Sequence, residues 1–141
     1  MLKELAQNAK KINIMQLALK VARQNSGLIA DNIRSQLSEG KAGDNRDVGR
    51  YTSTPYAIRK SSISSAPFGV VDLKLSGKLH RDIFVKMDFT KVTVDSKVSY
   101  SKYQIARYGD RIYDSNPENS DKVKAKNSIE IVREYSRLLG L

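Results

Sequence analysis

Two alternating apolar runs on either side of Ser76-Gly77-Lys78-Leu79 constrain this chain more than any other stretch. In residues 83–89, Ile83, Val85, Met87 and Phe89 share one side, while Phe84, Lys86 and Asp88 share the other. A period of two belongs to a strand with one buried face. Residues 70–75 alternate similarly, with Val71, Leu73 and Leu75 set against Asp72 and Lys74. A third run, residues 91–98, follows a turn at Thr90-Lys91 and alternates Val92 and Val94 with Thr93 and Asp95. At the step itself, Gly77 supplies the positive backbone angle that ends a strand. Leu79 and Ile83, four residues apart, pack a single helical turn against the sheet. Ser76, Gly77, Leu79 and Ile83 therefore read as a structural corner with no chemistry of its own.

Helical periodicity occupies both ends. Leu2, Leu5, Ala9, Ile12, Leu17, Ala18 and Val21 recur at three- and four-residue steps, which predicts one helix over residues 1–24. Leu28, Ile29, Ile33 and Leu37 continue it to residue 37, either as a second helix or past a kink at Asn25-Ser26-Gly27. Ile14, Met15 and Leu19 widen the apolar surface beyond one stripe, as expected of a helix that meets a broad core or a second subunit. Residues 101–108 read as a short helix closed by Gly109, and residues 110–114 as a brief extended piece. Asn116-Pro117-Glu118 opens a last helix over residues 117–139. Its apolar face is expected to hold Val123, Ile131, Val132, Tyr135, Leu138 and Leu139. The expected fold is α+β in a single domain, residues 1–141. A small antiparallel sheet of about three to four strands packs there with a long N-terminal helix and a C-terminal helix.

Several chemistries have no residues to run on. There is no cysteine, hence no disulfide, thiolate site or cysteine nucleophile, and one histidine makes an ordinary zinc site a poor expectation. Gly40-Lys-Ala-Gly43 lacks the closing Gly-Lys-Ser/Thr of a phosphate loop and follows no strand. His80 beside Asp82 resembles a base with its orienter, but an exposed turn histidine is the plainer reading. No cofactor, metal or catalytic residue is assigned. The start mixes charges with apolar residues, unlike a signal peptide, and no run is long enough to span a membrane, so the chain reads as soluble and cytoplasmic in synthesis.

The net charge of +10 invites an acidic partner. The excess is spread, three, three and four charges over residues 1–40, 41–75 and 76–141, so no basic tail supplies it. Residues 38–55 carry three glycines and no apolar period, and read as a long loop. Beside it, Arg50, Tyr51, Tyr56, Arg59 and Lys60 interleave aromatic rings with cations, a pattern that contacts nucleic acid or another acidic partner. The plainer reading is a short helix starting near Pro55 with Tyr56 on the core.

The order of elements, together with Ser76-Gly77-Lys78-Leu79-His80-Arg81-Asp82-Ile83, resembles the tail-completion or virion-morphogenesis proteins of tailed bacteriophages. Their step reads Thr/Ser-Gly-x-Leu-x-x-Ser-Ile, with Asp82 here at the usual Ser. Tyr103, Tyr108-Gly109, Gly49-Arg50-Tyr51 and Tyr56-Ala57-x-x-Lys60 are similar as well. The resemblance covers residues 50–113 and implies a non-enzymatic virion protein of the head–tail connector, neck or tail terminus. It implies a ring-forming homo-oligomer that meets neighbouring head or tail proteins and DNA, with no membrane and no small-molecule substrate. A nucleic-acid-binding module is the alternative.

Overall fold

A computed structural model describes residues 1–74, 76–88 and 91–141. Among these the chain mixes helix and strand: seven α-helices, one 3-10 turn and a two-stranded antiparallel sheet. The N-terminal region is three helices, α1 (Leu2–Lys11), α2 (Ile14–Gln24) and α3 (Ser26–Ser38). The single helix expected over residues 1–24 breaks because Asn13 turns extended and caps α2, its side chain accepting from Gln16 N–H at 3.1 Å. Asn25 separates α2 from α3. Its buried amide donates to Asn127 Oδ1 at 2.7 Å and to Glu130 Oε2 at 3.0 Å. A polar residue at the joint is thereby satisfied by the C-terminal helix.

After the loop come α4 (Thr54–Ser61), α5 (Lys78–Arg81), β1 (Ile83–Met87), β2 (Val92–Ser96), α6 (Ser101–Tyr108) and α7 (Pro117–Leu139). Ser53 caps α4 with Pro55 in its first turn, and Asn116 caps α7 by accepting from Asn119 N–H at 2.9 Å. Both starts fall where cap chemistry predicts them. β1 and β2 pair antiparallel, with Ile83 opposite Ser96, Val85 opposite Val94 and Met87 opposite Val92.

The expected third strand over residues 70–75 does not form among the described residues. Val70 makes an isolated bridge to Arg50, and Leu73 takes a positive φ of 56° that turns the chain out of the extended state. Val71 and Asp72 are both buried, so the expected alternation of inside and outside fails there. Leu75, Phe89 and Thr90, assigned from the sequence to two strands and a turn, lie outside the described residues. Residues 110–114 also differ from expectation. Asp110–Tyr113 is a 3-10 turn that buries Ile112 and Tyr113 together, which an extended pair cannot do on one face.

The core forms around α3. Ala30, Ile33 and Leu37 pack with Ala42, Val48, Val71, Leu79, Ile83, Val98, Ile112 and Tyr113. Gln36, buried on α3, donates to the Asp114 carbonyl at 2.8 Å and accepts from Asn116 N–H at 3.0 Å, which fixes the start of α7. α7 lies against α1, α2 and α3. Of its expected apolar face Val123 is buried and Ile131, Tyr135 and Leu139 are half-buried, but Val132 and Leu138 are exposed.

Residues 40–48 are anchored to this core at Ala42 and Val48. Lys41 bridges to Asp47, and Ala42 and Val48 are buried. Arg111 reaches across to donate to the Asp47 and Val48 carbonyls at 3.1 and 2.9 Å, and to Asp44 Oδ1 at 3.1 Å. The length of the loop hid this anchor, which lies more than sixty residues away. Replacing Arg111 with alanine is expected to cost about 2 kcal/mol in urea unfolding. An unchanged midpoint would show that the loop holds without it.

Candidate functional site

The segment from Ser53 to Arg81 is built around Asp72. Its carboxylate is 1 % exposed and meets the Lys60 ammonium, on a side chain 5 % exposed, at 2.9 Å. Ser64 Oγ donates to Oδ2 at 2.7 Å, while Lys74 N–H and the Tyr51 hydroxyl donate to Oδ1 at 3.0 and 3.3 Å. Lys60 also donates to the Lys74 carbonyl. Burial pushes the Asp72 carboxyl up, but Ser64, Lys60 and the Lys74 amide outweigh it and hold the pKa below the ordinary value. Burial and the neighbouring Asp72 charge push the Tyr51 phenol up.

His80 is buried, which corrects the expectation of an exposed turn histidine. Its Nε2 donates to the Asp72 carbonyl at 2.8 Å, and Nδ1 is 3.5 Å from the Ser38 hydroxyl. Its side chain therefore meets Asp72 and Ser38 rather than Asp82, two residues on in the chain. Burial pushes the imidazole pKa down from 6.5. At the corner, Gly77 sits at φ +80° and opens α5, Leu79 and Ile83 are buried, and Ser76 is exposed with its hydroxyl 3.4 Å from Lys78 N–H. Arg34, which the sequence did not mark, donates to the His80 and Ile83 carbonyls at 2.7 and 3.0 Å and closes the turn.

Of the five residues read as a contact for an acidic partner, Tyr51 and Tyr56 meet edge to face, centroids 4.9 Å apart. Arg50 and Arg59 are exposed, with Arg50 3.5 Å from Asp47. Lys60 is turned inward onto Asp72, so most of its charge is used within the protein.

The fold adds residues that sequence proximity missed. Tyr51, Tyr56 and Lys60 line a hollow of about 350 Å³ together with Lys74, Tyr100, Gln104, Arg107 and Tyr108. Gln104, Arg107 and Tyr108 lie on α6 with Tyr100 at its N-cap, and their spacing of four, seven and eight from Tyr100 is the signal from which they were legible. Gly49 sets the approach: a Cβ there would lie 2.8 Å from Tyr108 Cε1, so only glycine lets the loop backbone reach the ring. Among the described residues no group of three or more His, Asp or Glu is placed to hold a metal ion. No described helix is long and apolar enough to cross a membrane.

No protein-family model, curated protein or solved structure matches the chain.

Two outcomes follow from the buried cluster. Asp72→Leu leaves an uncompensated ammonium and is expected to cost about 3–5 kcal/mol in urea, most of it restored by adding Lys60→Met. Equal losses in the single and double variants would contradict this. Because the His80 pKa is lower folded than unfolded, the unfolded chain takes up the proton first. Its contribution to stability is full above about pH 6.5 and is lost as pH falls through and below that value. Urea midpoints at about pH 7.5 and 5.5 should differ less in His80→Gln than in the parent; equal differences would remove the assignment.

Proposed function

We propose that this chain is a non-enzymatic structural subunit of a tailed-bacteriophage virion, placed at the head–tail connector, neck or tail terminus. Copies join in a ring there and meet neighbouring head or tail proteins. The single observation that carries the assembly half is α1. None of its ten residues is buried, and Leu2 is 82 % exposed. Just beyond it, Ile14 and Met15 on α2 are 58 % and 69 % exposed. A helix of this length is marginal on its own and draws its stability from packing. At home it has Leu5, Ala9 and Ile12 half-buried and an Asn8 amide 3.4 Å from the Leu139 carbonyl. The remaining apolar side chains suit a neighbouring subunit.

The virion half of the reading rests on the Ser76-Gly77-x-Leu79 step and the Tyr108-Gly109 pair. The corner around that step is held by backbone and side-chain bonds, with His80 Nε2 committed to the Asp72 carbonyl and the Ser38 hydroxyl committed to the Arg34 carbonyl, which fits a part whose work is shape. Ring closure follows when the α1–α2 patch of one copy meets a different surface of the next and the rotation closes. The reading assigns no cofactor, no membrane and no small-molecule substrate. Residence in the virion follows, after synthesis in the host cytoplasm.

Light scattering on a sizing column tests the assembly claim. The parent chain is expected to run as a homo-oligomer larger than a dimer, and Leu2→Asp with Met15→Asp to run as a folded monomer. A parent that stays monomeric at high concentration and fails to join portal or tail assemblies would overturn the proposal.

A further inference from the structure

The tyrosine hollow between α4 and α6 has no part in ring assembly as argued above, and its lining has a definite chemistry. Four tyrosines surround it, Tyr51, Tyr56, Tyr100 and Tyr108. The Tyr51 hydroxyl is taken by Asp72. The other three hydroxyls make no hydrogen bond among the described residues and remain available to a ligand. Lys74 and Arg107 contribute the exposed cations, and neither is ion-paired among the described residues. Arg107 lies 5.4 Å from the centre of the Tyr108 ring, which keeps the guanidinium beside an aromatic face. Among the described residues no carboxylate lines the hollow, and the one nearby, Asp72, is ion-paired to Lys60.

Lys74 also borders a second, open hollow with Arg34, Ser76, Gly77 and Arg81, again without a carboxylate. Arg34 there is committed to Asp31 and to the carbonyls of the corner, so Lys74 and the exposed Arg81 are the cations that continue past the tyrosines. Rings, phenol hydroxyls and unpaired cations in one concave site call for a ligand that is both planar and anionic along its length. We infer that this hollow binds single-stranded nucleic acid, with an unstacked base against the tyrosines and the adjoining phosphates at Lys74 and Arg107. A cavity of about 350 Å³ admits one base with its sugar, and a duplex cannot present a base to it. An acidic peptide would satisfy the cations and leave the rings without a partner. The inference uses only the lining of the hollow and stands or falls separately from ring assembly.

The test is fluorescence anisotropy of the full chain with a labelled oligothymidylate of about twelve nucleotides, from about 50 to about 200 mM salt. Binding should weaken steeply with salt. Lys74→Glu with Arg107→Glu should weaken it at least about tenfold, and Tyr100→Leu at least about fivefold. The same charge change at the exposed α7 residues, Lys122→Glu with Lys124→Glu, should alter it less than about twofold. Circular dichroism identifies any variant that fails to fold, and the exposed Tyr100 and Arg107 provide readouts free of the buried cluster. Four results would overturn the inference: no binding at low salt, equal loss in the α7 control, equal affinity for duplex of the same length, or equal affinity for a labelled oligoglutamate. Unchanged oligomer mass in variants that lose nucleic acid would keep this result distinct from a failure of assembly.

Discussion

A carboxylate and an ammonium taken out of water together lose hydration that their attraction alone does not restore. The Asp72–Lys60 pair is tolerated because the carboxylate also takes hydrogen bonds from Ser64, Tyr51 and the Lys74 amide. Each bond ties down a different part of the chain. Lys60 holds α4, Tyr51 the exit of the loop, and the Lys74 amide the bend at Leu73. The Asp72 carbonyl receives His80, so α5 and the start of β1 are set from the same residue. Remove the charge and, of these bonds, α4 keeps only the one from Lys60 to the Lys74 carbonyl.

That arrangement explains where the sequence was legible and where it misled. Pro55 marked the start of α4 and the Asn116 cap that of α7, since both act on their own first turn, and Gly109 closes α6 as expected; the Ser53 cap was not read. The β1–β2 hairpin followed its period of two at Ile83, Val85 and Val94, which face the core, but not at Val92, which is exposed. Residues 70–75 carried the same period, and the described ones, 70–74, did not follow it. Asp72 was assigned to solvent, yet a buried lysine twelve residues earlier draws it inward and the backbone turns to comply. Asn13 reads locally as a polar residue within a helix, and only its cap bond reveals the break. His80 was misplaced for the same reason as Asp72, since its burial depends on α3, whose residues lie far off in the chain.

The candidate site was half visible. Tyr51 and Tyr56 stood out beside cations, but the lysine between them and the sheet is structural, and the cations at the mouth are Lys74 and Arg107. α6 contributes its tyrosines from about fifty residues away, so proximity along the chain could not assemble the set. The proposed assembly surface was more directly legible, because an apolar surplus in residues 1–24 is a count that needs no fold. The apolar patch proposed for assembly lies on α1 and α2, and the tyrosine hollow lies by α4 and α6.

Asp72 ties the described part of residues 60–83 to the core although many of its side chains are exposed. Native-state hydrogen exchange measures this directly. The amides of Val71, Lys74 and Arg81 are bonded to Gly49, Asp72 and Gly77. They should open with nearly the same free energy as those of Ile33 and Leu37 on α3. Exchange of these three at the rate of exposed loop amides, with α3 still protected, would contradict the account.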